Sequence, residues 1–175
     1  SVTGTLTGNT SPVSLGSLMI ASGGTYTATS GTTTITNVHS SGYAYQNLGT
    51  MTHNKGRFKF TDNGHIYVQE SLFYDLECAL DTSSLEFRWS DTGGSLGTIL
   101  GDLIMTSGRF KFSTAGDSII VHGNTSMTSS AQFGIGSPSG THTFHGLVTI
   151  KGGTWHLSSG TNNMAGMRNI GGTIS

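Results

Sequence analysis

"GRFKF" occurs at residues 56–60, within "MTHNKGRFKF" (51–60), and again at 108–112, within "LIMTSGRFKF" (103–112). The two glycines are 108 − 56 = 52 positions apart. A catalytic motif gains nothing from being written twice, whereas a structural unit stacked on copies of itself repeats its own pattern. Related segments surround the pair: "LMIASGGTYTA" (18–28), "LDTSSLEFRW" (80–89), "MTSSAQFGI" (127–135) and "VTIKGGTWHL" (148–157). Each opens on Ile, Met, Leu or Val, passes through small polar residues, and then alternates apolar with polar. Tyr26, Phe58, Phe87, Phe110, Phe133 and Trp155 hold equivalent places, at intervals of 32, 29, 23, 23 and 22 residues.

A second set follows these segments, in "GTTTITNV" (31–38), "DNGHIYV" (62–68), "GSLGTIL" (94–100), "AGDSIIV" (115–121), "GTHTFHG" (140–146) and "GGTIS" (171–175). A third comprises Leu18, Leu48, Leu76, Leu103 and Leu147. Alternation with period two gives each strand one apolar and one polar face. Recurrence of one residue type every 22 or so positions requires more than a hairpin meander. Strands coiled so that each rests on the equivalent strand of the preceding coil satisfy it. The predicted fold is therefore all-β, a parallel β-helix (β-solenoid). It has about three strands per coil and roughly seven coils of about 22–30 residues, as a single segment over 1–175. The six aromatics are expected to form one internal ladder, and a loop insertion is expected near 39–47, in "HSSGYAYQN".

Composition fits this and excludes other classes. The chain has 175 residues, 27 of them Gly and only 2 Pro, with 10% charged residues and a formal net charge of −1. No stretch repeats at 3.6 residues. So little charge gives no long-range attraction to nucleic acid, and no apolar run of about 18 residues is present to insert in a membrane. The single cysteine, Cys78, excludes an intrachain disulfide. The chain opens on Ser1 and closes inside a strand-like pattern, so both ends are expected to continue into a longer protein.

"MTHNKGRFKFTDNGHIYV" (51–68) running into "SLFYDLECAL" (71–80) resembles the Gly/Thr/Ser-rich β-solenoid repeats of bacteriophage fibre or tail-associated virion proteins and bacterial adhesin-like surface proteins. Their general form is Thr-Phe-x-His-Asn-x-Gly-x-aromatic-x-Phe, then Gly, an Ile-containing strand and Phe-Tyr-Asn-Leu. Asp75 departs from it, as do the charges at Arg57, Lys59, Arg88, Arg109 and Lys111. The resemblance implies an extended structural or attachment element of a virion or cell surface, without catalysis. Its partners would be other copies of itself, other fibre or virion proteins, and host-surface glycans.

Four cations are the candidate binding residues. Arg57, Lys59, Arg109 and Lys111 alternate with inward Phe side chains and should form one outward basic strip. Such a strip would hold an acidic glycan or a neighbouring subunit, or would simply be a solvated face that blocks edge-to-edge aggregation. The other constellations are thinner. Asp75 and Glu77 share a strand face, the arrangement that a polysaccharide-degrading module would use, but no second acidic cluster supports them. The seven histidines have no ligand spacing; His142 and His145, three apart, should point to opposite sides of a strand. No catalytic residue, metal site or cofactor is therefore expected. "GTLTG", "TYTAT" and "TTTIT" resemble the Thr-x-Thr strands of ice-binding solenoids, and the Arg-Phe-Lys, Glu-Phe-Arg and Thr-Trp-His segments are expected to interrupt any such face.

Overall fold

The structure, a computed structural model, describes residues 1–62, 64–69, 72–89, 96–112, 114, 116–135 and 139–175. Asn63, Ser71, Gly94, Ser95 and Ala115, which belong to segments quoted above, lie outside that set. Among the described residues there is no helix, and every strand pairing is parallel. The chain is a β-solenoid of about seven turns with three strands per coil.

The first layer holds β1 (Thr5–Thr7), β2 (Val13–Leu15) and β3 (Leu18–Ile20). The second holds β4 (Thr25–Thr27), β5 (Thr32–Ile35) and β6 (Tyr43–Asn47), and the third β7 (Thr50–Thr52), β8 (Arg57–Phe60) and β9 (Ile66–Gln69). Then come β10 (Leu72–Phe73), β11 (Asp75–Ala79) and β12 (Glu86–Trp89), followed by β13 (Leu96–Ile99), β14 (Leu103–Ser107) and β15 (Arg109–Phe112). The sixth layer is β16 (Ser118–Val121), β17 (Thr125–Met127) and β18 (Gln132–Ile135). In the last two layers one strand bends round the first corner: β19 (His142–Ile150) precedes β20 (Thr154–Trp155), and β21 (Asn162–Asn169) precedes β22 (Thr173–Ile174). Face one thus runs from β1 to the start of β21, face two from β2 to its end, and face three from β3 to β22.

The register corrects the expected ladder. Phe87, Phe110, Phe133 and Trp155 stack on face three, with ring centroids 5.0, 5.3 and 4.2 Å apart in turn, and Ile174 continues the column. Tyr26 stands instead on face one between Leu6 and Met51, and Phe58 on face two between Thr33 and Leu76. The two GRFKF copies therefore occupy different faces, β8 and β15, about two and one-third coils apart. The reason is local. All three faces ask for the same thing, a small corner residue followed by inward apolar side chains at every second position, so the pentapeptide cannot report which face it serves.

Even the repeated glycine answers two needs. A Cβ on Gly56 would lie 1.9 Å from the Thr29 carbonyl oxygen of the coil before, so close approach requires Gly there. Gly108 has φ of +85°, in the left-handed region. The other two expected columns are likewise divided. Leu76 and Leu103 stack on face two, but Leu48 and Leu147 are exposed at corners. Ile99 belongs to face one, Ile35 to face two and Ile66 to face three. Of the expected insertion at 39–47, residues 43–47 are strand β6, with Ala44 and Tyr45 buried. The added length is in the turn that precedes it.

The buried apolar residues from Leu18 to Trp155 form one cluster inside the tube. Phe73 alone meets Tyr45, Phe58, Phe60 and Trp89 at centroid distances of 5.2–6.2 Å. Each such ring removes roughly 150–250 Å² from water. At the corner between faces one and two the backbone is tied by a side-chain ladder. Asp75 Oδ1 accepts the Asp102 amide (2.8 Å), Asp102 Oδ1 the Asn124 amide (2.8 Å), and Asn124 Oδ1 the Leu147 amide (3.0 Å).

Candidate functional surface

Strand alternation sends Arg57 and Lys59 outward on face two and Arg109 and Lys111 outward on face three. The single basic strip expected from the sequence is thus two separate groups. Each group surrounds one glutamate from the neighbouring coil, because the register places opposite charges side by side.

On face two, Glu77 of β11 lies beside Lys59 of β8 in the ladder. Its carboxylate accepts from Lys59 Nζ at 2.8 Å and Arg57 at 3.1 Å, and the two cations cover it so that only 7% of the residue is exposed. Asp75, one strand step away, is occupied by the Asp102 amide. The two carboxylates share a face, as expected, but both are engaged in holding coils together.

On face three, Glu86 of β12 receives Arg88 at 2.5 Å and Lys111 Nζ at 3.5 Å, with His65 Nδ1 at 3.9 Å. Burial acts to raise the Glu86 carboxyl, and the Arg88 hydrogen bond and charge, with Lys111, outweigh it and hold it below its ordinary value. Arg88 also lies over the Tyr67 ring, 4.9 Å from its centroid, and donates to the Tyr67 hydroxyl. Arg109 sits between Glu86 and Gln132 in the ladder, yet enters none of the ion pairs formed among the described residues. Its Nε is buried and, among the described residues, without a hydrogen-bonding partner. Sequence reasoning missed Arg88, Tyr67 and Glu86 as members of this group. The signal was present in "EFRW" (86–89), which repeats the alternation of "RFKF" one coil earlier, but alternation does not reveal which strands are neighbours.

His142 and His145 do point to opposite sides. His145 is exposed and stacks on His122 at 5.0 Å, while His142 is fully buried against Phe112 at 4.6 Å. Neither nitrogen of His142 has a hydrogen-bonding partner among the described residues. Burial pushes its pKa below the ordinary value, and the nearby Asp117 carbonyl pulls weakly the other way without closing a hydrogen bond. Cys78, also fully buried, has its thiol pushed up to about 12, chiefly by burial. No three His, Cys, Asp or Glu side chains come together as a metal cage among the described residues.

Face one is different in kind. Thr5, Thr25 and Thr50 align, as do Thr7, Thr27 and Thr52, giving two threonine columns three coils deep. The Arg-Phe-Lys, Glu-Phe-Arg and Thr-Trp-His segments expected to interrupt them lie on faces two and three. The columns end for another reason: later coils of face one place Leu72, Leu96 and Ile120 outward. No family model, curated protein or solved structure matches the chain.

Proposed function

We propose that this chain is a structural β-solenoid segment of a fibre or surface protein, a rigid spacer or attachment element of a virion or cell surface that performs no catalysis. The observation that carries the reading is the unbroken apolar interior from Leu18 to Trp155, wrapped by parallel strands in every layer. Eight layers at about 4.8 Å give a rod on the order of 35 Å long. Shape of this kind serves reach and stiffness. The acidic pair that a polysaccharide-degrading module would need, Asp75 and Glu77, is engaged between coils. The resemblance of 51–80 to phage fibre and adhesin repeats points the same way.

Two measurements test the proposal together. Small-angle scattering should give an elongated particle, and gold-labelled antibody against this segment should decorate the projecting fibres of the parent virion or cell. Labelling confined to the cell interior, or release of reducing sugar from host polysaccharide, would overturn it.

A further inference from the structure

We propose that the outer side of face three carries a recognition site for an acidic polysaccharide, centred on Arg109. The inference deepens the attachment half of the function proposed above and rests on it. It starts from the unequal charge balance of the two clusters. On face two, Arg57 and Lys59 both pair with Glu77, and Asp75 lies beside Arg57 in the ladder, so two cations stand against two carboxylates. On face three, among the described residues of β12 and β15, the three cations Arg88, Arg109 and Lys111 stand against the one carboxylate of Glu86. Glu86 is taken by Arg88 and, more loosely, by Lys111, which leaves the Arg109 guanidinium without an anion among the described residues. A guanidinium fixed on a rigid strand, with Nε already withdrawn from water, is set to meet a carboxylate or sulfate through its remaining donors.

The surroundings select the class of anion. Beyond Arg109 its column continues with Gln132 and Thr154, uncharged hydrogen-bonding side chains one coil apart. A sugar acid presents this sequence of groups, one anionic substituent followed by hydroxyls. Nucleic acid would ask for a longer track of cations, since its affinity comes from many phosphates. An acidic peptide adding to a sheet needs a free strand edge, and this surface is the side-chain face of paired strands. Uronic acid carboxylates and sulfate esters share the chemistry.

The test is binding of the folded chain to alginate (uronate) and dextran sulfate (sulfate ester), with neutral dextran, polyglutamate and single-stranded DNA alongside, at about 0.15 M salt. One or both acidic polysaccharides should bind while neutral dextran does not, and comparing the two identifies the anionic group. Arg109→Ala should weaken binding roughly tenfold, Glu86→Gln should strengthen it by removing the competing carboxylate, and Arg57→Ala should leave it unchanged. Thermal melts confirm that each variant is folded. Binding to neither acidic polysaccharide, equal loss in Arg57→Ala, or preference for polyglutamate or DNA would overturn the proposal. Those results would leave the fibre reading standing if scattering still shows a rod.

Discussion

Phe110→Ala probes the interior most sharply. Phe110 is fully buried and its ring meets those of Phe87, Trp89, Phe112 and Phe133 at 5.0, 5.8, 5.4 and 5.3 Å. Strands fixed by ladders above and below leave little room to collapse, so the full cost of Phe→Ala in a core, about 3–5 kcal/mol, is expected. For a chain of this length each kcal/mol lowers Tm by about 2–4 °C, so the drop should be about 6–20 °C. Leu147→Ala is the control, because Leu147 is 44% exposed, and should stay within about 0.5 kcal/mol. Double-mutant cycles by urea unfolding then test the register. Phe110 with Phe133, in ring contact, should couple by about 0.5–3 kcal/mol, while Phe110 with Phe58 should be additive within about 0.5 kcal/mol. Phe58 occupies the same place in its pentapeptide, but its ring meets those of Tyr45, Phe60 and Phe73, whereas the Phe110 ring meets those of Phe87, Trp89, Phe112 and Phe133. Strong coupling between Phe58 and Phe110, or none between Phe110 and Phe133, would refute the placement of the two copies on different faces.

Other expectations follow from single sites. Cys78, buried with its thiol held at about 12, should resist alkylation at about pH 8 in the native protein and take up one equivalent once denatured. His142 is held neutral in the fold, with a pKa below that of the unfolded chain. The unfolded chain therefore binds the extra proton first, and stability present above pH 6.5 is lost as pH falls below it. Urea midpoints between about pH 8 and about pH 5 should show that loss, and His142→Phe should flatten it. Gly56→Ala, which drives a methyl group onto the Thr29 carbonyl, should cost about 2–3 kcal/mol or more. Gly108→Ala pays about 1–2 kcal/mol for its left-handed backbone before any contact with Leu80 is counted. Both are read from denaturant melts.

The architecture was legible because alternation and recurrence are local properties, and the near-regular intervals from Phe87 to Trp155 belong to one true column. Face assignment was not legible. Eighteen residues separate Phe58 from Leu76 above it, whereas 27 separate Leu76 from Leu103, since each corner can hold a different number of residues. Alignment of motifs alone therefore merges columns from different faces, as with Tyr26, Phe58 and Phe87, which stand on faces one, two and three. The charged sites suffered the same way. Their outward direction followed from parity, but that Arg57 meets Glu77 while Arg109 enters no ion pair among the described residues depends on register between coils. His142 was invisible as a core residue because "HTFH" gives no sign of which histidine faces inward.

The stacking order itself is most directly tested by cysteine pairs on face two. Ser126 lies beside Thr149, and Thr149 beside Arg168, in successive coils. Ser126→Cys with Thr149→Cys, and Thr149→Cys with Arg168→Cys, should each form a disulfide under mild oxidation, because neighbouring parallel strands are about 4.8 Å apart. Ser126→Cys with Arg168→Cys, two coils apart, should remain reduced. Ready linkage of that distant pair, or failure of both adjacent ones, would contradict the parallel three-faced coil.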